Sequence, residues 1–222
     1  AFAVSDAQGR FNLNNLVRNG APSPADIAMF QRLLTSQGID PGLSETLRDW
    51  LDPDGTVSPG GAEDIEYLSL PQPYRSANQP LQSVDELRLV KGFTAKAVKD
   101  LRSYVTALPV PTTVNVNTAP VQVLAALTNL STAALQPVLD SRVNQPFADT
   151  AKFLAQLPAG TTCPANLCDV KTGYFLVTID IRYGRLQRRT EALIERVSGK
   201  PATVLWHRLP PLQFEMNPDE KT

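Results

Sequence analysis

The chain has 222 residues, 42% of them hydrophobic and 19% charged, with a formal net charge of -1. That length suits one large domain or two small ones. The near-neutral balance excludes a global basic field that would recruit nucleic acid or an anionic membrane surface, and the apolar runs fall short of the roughly 20 residues a membrane-crossing helix needs.

The opening Ala1-Phe2-Ala3-Val4 lacks the charged-then-apolar pattern of a signal peptide and reads as the stub of a longer segment. A turn at Ala7-Gln8-Gly9 leads into Arg10 to Leu13, whose alternation predicts a short strand. Ser23 is a candidate N-cap with Pro24 behind it. Ile27, Phe30, Leu33 and Leu34 follow at helical spacing, and Gly38 ends that helix. Asp40-Pro41 starts another, with Leu43, Leu47, Trp50 and Leu51 on one face. Ser83 and Glu86 form a capping-box pattern before Leu87 and Val90, with a stop at Gly92. Thr94, Thr118, Ser131 and Asp149 are read as caps of four further helices. The many prolines, 19 against 12 glycines, keep all these elements short.

The pattern then changes. In Gly173 to Tyr183, Phe175, Val177, Ile179 and Ile181 alternate with Thr178, Asp180 and Arg182, as in a half-buried strand. Gly184-Arg185 predicts a tight type II′ hairpin turn. Leu186 to Val197 returns, Ala202 to Arg208 is a third strand, and residues 210–222 read as a frayed tail. The fold class expected is α+β. An antiparallel sheet core is formed by residues 1–20 and 165–209. A large all-helical domain, residues 21–164, is inserted between its strands.

The stretch from Asp49 to Tyr74 carries the chemistry. Asp52, Asp54, Glu63 and Asp64 are spaced by Pro53, Gly55, Pro59, Gly60 and Gly61. Such a loop cannot bury a large apolar face, so a hard cation held by oxygen ligands is one way to fix it. The spacing is not that of an EF-hand, and a solvated acidic turn with Asp54-Gly55 at its tip is the alternative. Cys163 and Cys168 stand close enough in a Pro/Asn loop to close a small disulfide ring, which would fit an oxidising compartment. Two reduced thiols remain the other reading. A zinc site would need more ligands than His207, the one histidine, can add. No P-loop, G-x-G-x-x-G or G-x-S-x-G pattern occurs. Arg182, Arg185, Arg188 and Arg189 cluster about the hairpin, as a solvated face or a partner patch.

Two segments of the helical block, 83–105 and 118–143, each read as cap, short helix, tight turn and capped helix. They resemble helix-hairpin-helix modules, in which hairpin backbone N–H groups meet a phosphate. Lys91, Lys96 and Lys99 accompany the first copy. The second has Asn129-Leu130-Ser131 where glycines are expected and no adjacent Lys or Arg. A packing role is the better expectation, with DNA binding as the alternative function.

Taken together, Asp6 to Leu16 (DAQGRFNLNNL), Asp49 to Tyr67, Pro73 to Leu89 and Asn115 to Leu124 (NVNTAPVQVL) resemble the K-type minor pseudopilins of bacterial type II secretion systems (GspK-like). The resemblance implies a pilin-like core, in which a long N-terminal helix packs on an antiparallel sheet with a helical domain inserted among the strands. It implies that this chain is the periplasmic part of an inner-membrane-anchored protein, without that helix. It implies a structural role at the pseudopilus tip, bound to the I- and J-type minor pseudopilins, with the H-type and secreted substrates as further candidates and no nucleic acid. It implies bound calcium, with Asp52, Asp54, Glu63 and Asp64 as candidate ligands that rigidify a loop joining helical domain and sheet. It also puts Cys163 and Cys168 in the periplasm, where a disulfide is expected. A calcium-dependent hydrolase would need a nucleophile or activated water beside the loop, and no second constellation supplies one.

Overall fold

The computed structural model describes residues 1–209 apart from Ala165 and Arg185. The expected tail at 210–222 and the Arg185 half of the hairpin turn lie outside the described residues. The chain forms two compact units, one of residues 1–7 with those from 172 onward, the other of residues 8–171.

The first unit is a four-stranded antiparallel sheet in the order Phe2–Asp6, Tyr174–Tyr183, Leu186–Glu195, Thr203–Arg208. Its first strand is Phe2–Asp6, running from Phe2 opposite Ile179 to Asp6 opposite Phe175. The strand expected at Arg10–Leu13 is therefore corrected. Phe11–Asn12 makes only a two-residue parallel pairing with Val105–Thr106. Leu13–Leu16 is a 3-10 turn, and Leu13 and Leu16, three apart, are both fully buried. The first three strands of that order turn Phe2, Val4, Val177, Ile179 and Ala192 to one side, because directly opposed residues share a face. Phe2 is 78% exposed and Ile181 51%, so that apolar side is open within this unit. Gly184 takes φ 56°, which suits the first position of the tight turn.

The second unit is helical. Seven α-helices are described: α1 Pro24–Ser36, α2 Leu43–Leu51, α3 Asp64–Leu68, α4 Ala95–Leu101, α5 Val121–Thr128, α6 Gln136–Asn144 and α7 Thr150–Leu154. None is long and apolar enough to cross a membrane. Helix α1 buries Ile27, Phe30, Leu33 and Leu34 and stops at Gly38, φ 66°, with the paired Gly38 N–H to Thr35 and Ile39 N–H to Leu34 bonds of a Schellman end. Ser23 precedes it, but its hydroxyl goes to the Asp26 carboxylate (2.5 Å). Val84–Leu89 is a 3-10 helix with the Ser83/Glu86 capping box formed. Thr94 and Asp149 cap α4 and α7 as expected. Thr118 does not cap α5, which starts only after Pro120, since the residue before a proline is pushed out of the helical region. Ser131 likewise closes a turn onto the Ala134 N–H, and α6 starts later, at Gln136 beside Pro137.

Residues 8–20 cluster with this unit, whereas the sequence reading grouped them with the sheet. The reason is a stitch of buried asparagines. Asn14 accepts from the Leu81 N–H (2.8 Å) and donates to the Leu81 and Leu108 carbonyls (2.9 Å each). Asn12 accepts from the Leu108 N–H (3.0 Å), and Asn15 pairs both ways with the Thr112 backbone. Residues 166–171 belong here too, through the parallel pairing of Cys168–Asp169 with Val114–Asn115.

Candidate metal centre

The acidic loop joins α2 to α3 inside the helical unit. The expectation that it joins helical domain and sheet is corrected. Its base is closed by aromatic packing: Trp50 in the last turn of α2 meets Tyr67 of α3 edge-on at 5.1 Å, and Tyr67 stacks on Tyr74 at 5.4 Å. These rings bury apolar surface that the loop itself lacks, and they hold both ends of it close.

Asp52 ends α2 in an extended conformation, 6% exposed. The chain then runs through Asp54, whose Oδ1 accepts from the Thr56 N–H (2.7 Å). Ser58 to Gly61 forms a turn closed by the Gly61 N–H on the Ser58 carbonyl (2.8 Å), with Gly60 at φ 82° behind Pro59, the residue order a type II turn requires. Glu63, 3% exposed, is the N-cap of α3 and shares a capping box with Glu66, whose side chain accepts from the Glu63 N–H (2.9 Å). This short helix was not foreseen from the sequence.

The structure brings Asp52 and Glu63 together, and Asp64 borders them, its Oδ1 3.1 Å from the Ser76 hydroxyl that also reaches Glu63. Asp64 accepts from Arg75 Nη1 (2.8 Å) and from the Ser76 N–H (3.0 Å). Glu63 receives the Ser76 hydroxyl on Oε2 (2.8 Å), while its Oε1 has no partner. Asp52 Oδ1 is also buried without a partner. A third such oxygen belongs to Asn78, a residue the sequence reading passed over. It sits at φ 47°, gives its amide N–H to the Asp54 carbonyl (3.0 Å), and leaves Oδ1 unpaired. Among the described residues, five buried side-chain polar atoms lack a partner, and all five fall on residues 48–78. Unmade hydrogen bonds are therefore concentrated at one place.

Electrostatics follow the burial. Asp52 is raised from 3.8 to about 6, first by burial and then by the charges of Asp54 and Asp49. Glu63 is raised too, again first by burial, with the Ser76 hydroxyl opposing and the charges of Asp52, Asp49 and Asp54 adding. Asp49, fully buried on α2, is a further carboxylate that the sequence reading did not select. No three His, Cys, Asp or Glu side chains already surround a common point among the described residues. The unpaired atoms are nonetheless all oxygens apart from Arg48 Nε and Trp50 Nε1. An oxygen-only set of two carboxylates, one amide and nearby carbonyls suits a hard cation and not a soft one.

The other candidates are placed as follows. Cys163 and Cys168 are disulfide-bonded. Arg182, Arg188 and Arg189 are exposed, with Arg189 held by Asp180 (2.7 Å). Arg185 of that cluster lies outside the described residues. His207 is exposed on the last strand. The first of the two hairpins packs closely, since a Cβ at Gly92, φ 88°, would lie 2.4 Å from Leu43 Cδ2, whereas at the second Asn129 takes the left-handed turn position at φ 57° and is exposed.

Comparison with known proteins gives consistent results. A family model for protein K of the type II secretion system (T2SS) matches residues 9–110, and a second with the same description matches residues 114–167. Type II secretion system protein K of Pseudomonas aeruginosa is 36% identical over 201 residues, covering 87% of this chain and 60% of that protein. The Klebsiella pneumoniae protein K is 34% identical over 213 residues, covering 87% of this chain and 64% of its own length. The chain thus spans under two thirds of these relatives. A chain of the crystal structure of the GspK-GspI-GspJ complex from the enterotoxigenic Escherichia coli type 2 secretion system superposes with a TM-score of 0.80 at 28% identity, over 94% of this chain and 79% of that one. These comparisons give the DNA-binding alternative no support.

Proposed function

The chain belongs to the protein K family of the type II secretion system, and on that premise we propose that it is a minor pseudopilin working by assembly, as the tip subunit of a pseudopilus, rather than by catalysis. The observation that carries the reading is the likeness, at a TM-score of 0.80, to a chain of a complex named for K, I and J components. I- and J-type minor pseudopilins are accordingly its partners, with the H-type and secreted substrates as further contacts. The open apolar side of the sheet, with Phe2, Val4 and Ile179, is the face that a long N-terminal helix covers in a pilin-like core. The Cys163–Cys168 bond supports a periplasmic setting for this part of an inner-membrane-anchored protein, because disulfides persist in oxidising compartments.

Calcium is the cofactor this reading assigns to the acidic loop. Asp52, Glu63 and Asn78 would hold it through their unpaired oxygens, with Asp54 at the rim and Asp64 turned to Arg75. The ion would supply positive charge that cancels carboxylate repulsion and ties the end of α2 to the start of α3.

Mixing this chain with I- and J-type pseudopilins of the same secretion system and resolving the mixture by size-exclusion chromatography with light scattering tests the assembly. A co-migrating complex is expected, and three separate peaks would sink the proposal. Calorimetric titration with calcium, repeated on Asp52→Ala and Glu63→Ala, tests the ion. Binding heat in the unchanged chain that both variants lose is expected.

A further inference from the structure

Asp49 is fully buried, one residue before Trp50; its Oδ1 accepts a long contact from Arg48 Nη2 (3.4 Å), and it belongs neither to the aromatic cluster nor to the set of unpaired oxygens. Its Oδ2 accepts the Ser58 N–H at 3.0 Å, a contact that reaches across nine residues of loop. Ser58 is the first residue of the turn whose last residue is Gly61, and a Cβ at Gly61 would stand 1.8 Å from that same Oδ2 and 2.6 Å from Cγ. The carboxylate thus occupies the space a side chain at Gly61 would need. Two residues beyond Gly61 comes Glu63, whose backbone is held by its capping box and whose Oε1 faces no partner.

We infer that Asp49 is the positioning residue of this site: it latches the Ser58–Gly61 turn against α2 and so sets Glu63 in place before any cation arrives. It acts by accepting a backbone hydrogen bond, not by lending its charge to the ion. Outer groups that orient metal ligands act in this manner, and their loss weakens metal affinity about 10- to 100-fold. The inference rests on the calcium reading for its consequence, while the latch itself belongs to the cation-free chain.

Asn at position 49 can still accept from Ser58 through its amide oxygen; Ala cannot. Gly61→Ala leaves Asp49 intact but fills its space. In calcium chloride titrations of the whole chain, Asp49→Asn is expected to bind within roughly fivefold of the unchanged protein, and Asp49→Ala and Gly61→Ala at least about tenfold more weakly. Asp49→Asn losing as much affinity as Asp52→Asn would make Asp49 a ligand and overturn the inference, as would Gly61→Ala binding like the unchanged protein. Amide hydrogen exchange at Ser58, measured in EDTA, reads the latch without the ion. Protection is expected in the unchanged chain and Asp49→Asn and loss of it in Gly61→Ala, whereas equal exchange in all three would overturn the latch. If the unchanged chain gives no heat with calcium, the calcium reading falls, and the Ser58 exchange alone decides the positioning role.

Discussion

Two buried polar clusters sit in the helical unit, and they are opposites. The Asn12, Asn14 and Asn15 stitch is almost out of water, and its amides are matched to backbone groups of residues 81 and 108–112. The acidic loop is as deeply buried at Asp49, Asp52 and Glu63, yet it gathers like charges and leaves oxygens unpaired. A satisfied cluster needs nothing more and holds the fold together. An unsatisfied one is costly in isolation, which marks it as a place that a ligand of opposite charge completes. Equal burial therefore does not mean equal role, and the sign of each response to perturbation separates the two.

The largest effect is expected where the bonds are complete. Asn14→Ala strands the Leu81 N–H and the Leu81 and Leu108 carbonyls in the interior. At about 1–3 kcal/mol for each unsatisfied buried group, the loss should be at least ~3 kcal/mol in chemical denaturation. It should be the same with calcium or with EDTA, because the stitch has no part in holding an ion. A loss that calcium reverses would mean the two clusters are not separable.

In the acidic loop the sign inverts. Asp52→Asn and Glu63→Gln each remove a poorly paired charge, so in EDTA neither should be less stable than the unchanged chain. Calcium at about 100 times its Kd should stabilise the unchanged chain by ~2.7 kcal/mol and raise its thermal midpoint, since only the folded state offers the site. Both variants should lose that gain. Variants already destabilised in EDTA would return these carboxylates to an ordinary structural role.

Acidity gives a smaller, directional test. Asp52 is raised from 3.8 to about 6 in the folded chain, so the folded state binds more protons than the unfolded one between those values. Stability of the calcium-free chain should then rise as pH falls from about 6 to below about 4, by up to ~3 kcal/mol, with roughly half of the gain in place by about pH 5. Glu63, raised for the same reasons, adds in the same direction. Glu66 is lowered, first by its bond to the Glu63 N–H, and its contribution is lost only below the ordinary carboxylate range. With saturating calcium the slope should reverse, because protons now compete with the ion. Thermal midpoints in EDTA and in calcium across this range check both signs, and Asp52→Asn should flatten the EDTA slope.

These contrasts show what the sequence makes legible. The long strands at 174–195 were plain from strict alternation and a Gly-led turn, and Thr94 and Asp149 from cap chemistry. Phe2–Asp6 was missed because five residues whose three apolar side chains, Phe2, Ala3 and Val4, run consecutively carry no alternation until Tyr174–Tyr183 lies beside them. Phe11 and Leu13 mimicked a strand, although the buried set Leu13 and Leu16 follows a three-residue period. In the loop, the carboxylates and turn residues were readable as a group. Their burial was not, since it comes from Trp50, Tyr67 and Tyr74 closing over the base. Asn78 and Asp49 were invisible for a related reason: each matters through one backbone contact, to Asp54 or to Ser58, that only the folded chain makes.

The smallest expected effect calibrates the others. Lys96 and Asp100 form an ion pair at 2.5 Å on α4, one helical turn apart, with the Lys96 side chain 85% exposed. The distance alone would rank it above any contact in the asparagine stitch. Water screens it, and holding a long lysine in one rotamer has an entropic cost, so Lys96→Ala should change stability by only about 0.3–0.5 kcal/mol. Raising the salt should shrink even that difference, while the Asn14→Ala loss should stay unchanged because no net charge is involved. A Lys96→Ala loss of a size like that of Asn14→Ala would show that pair geometry, and not burial with complete pairing, sets the energetics of this unit, and the contrast between the two buried clusters would then need another basis.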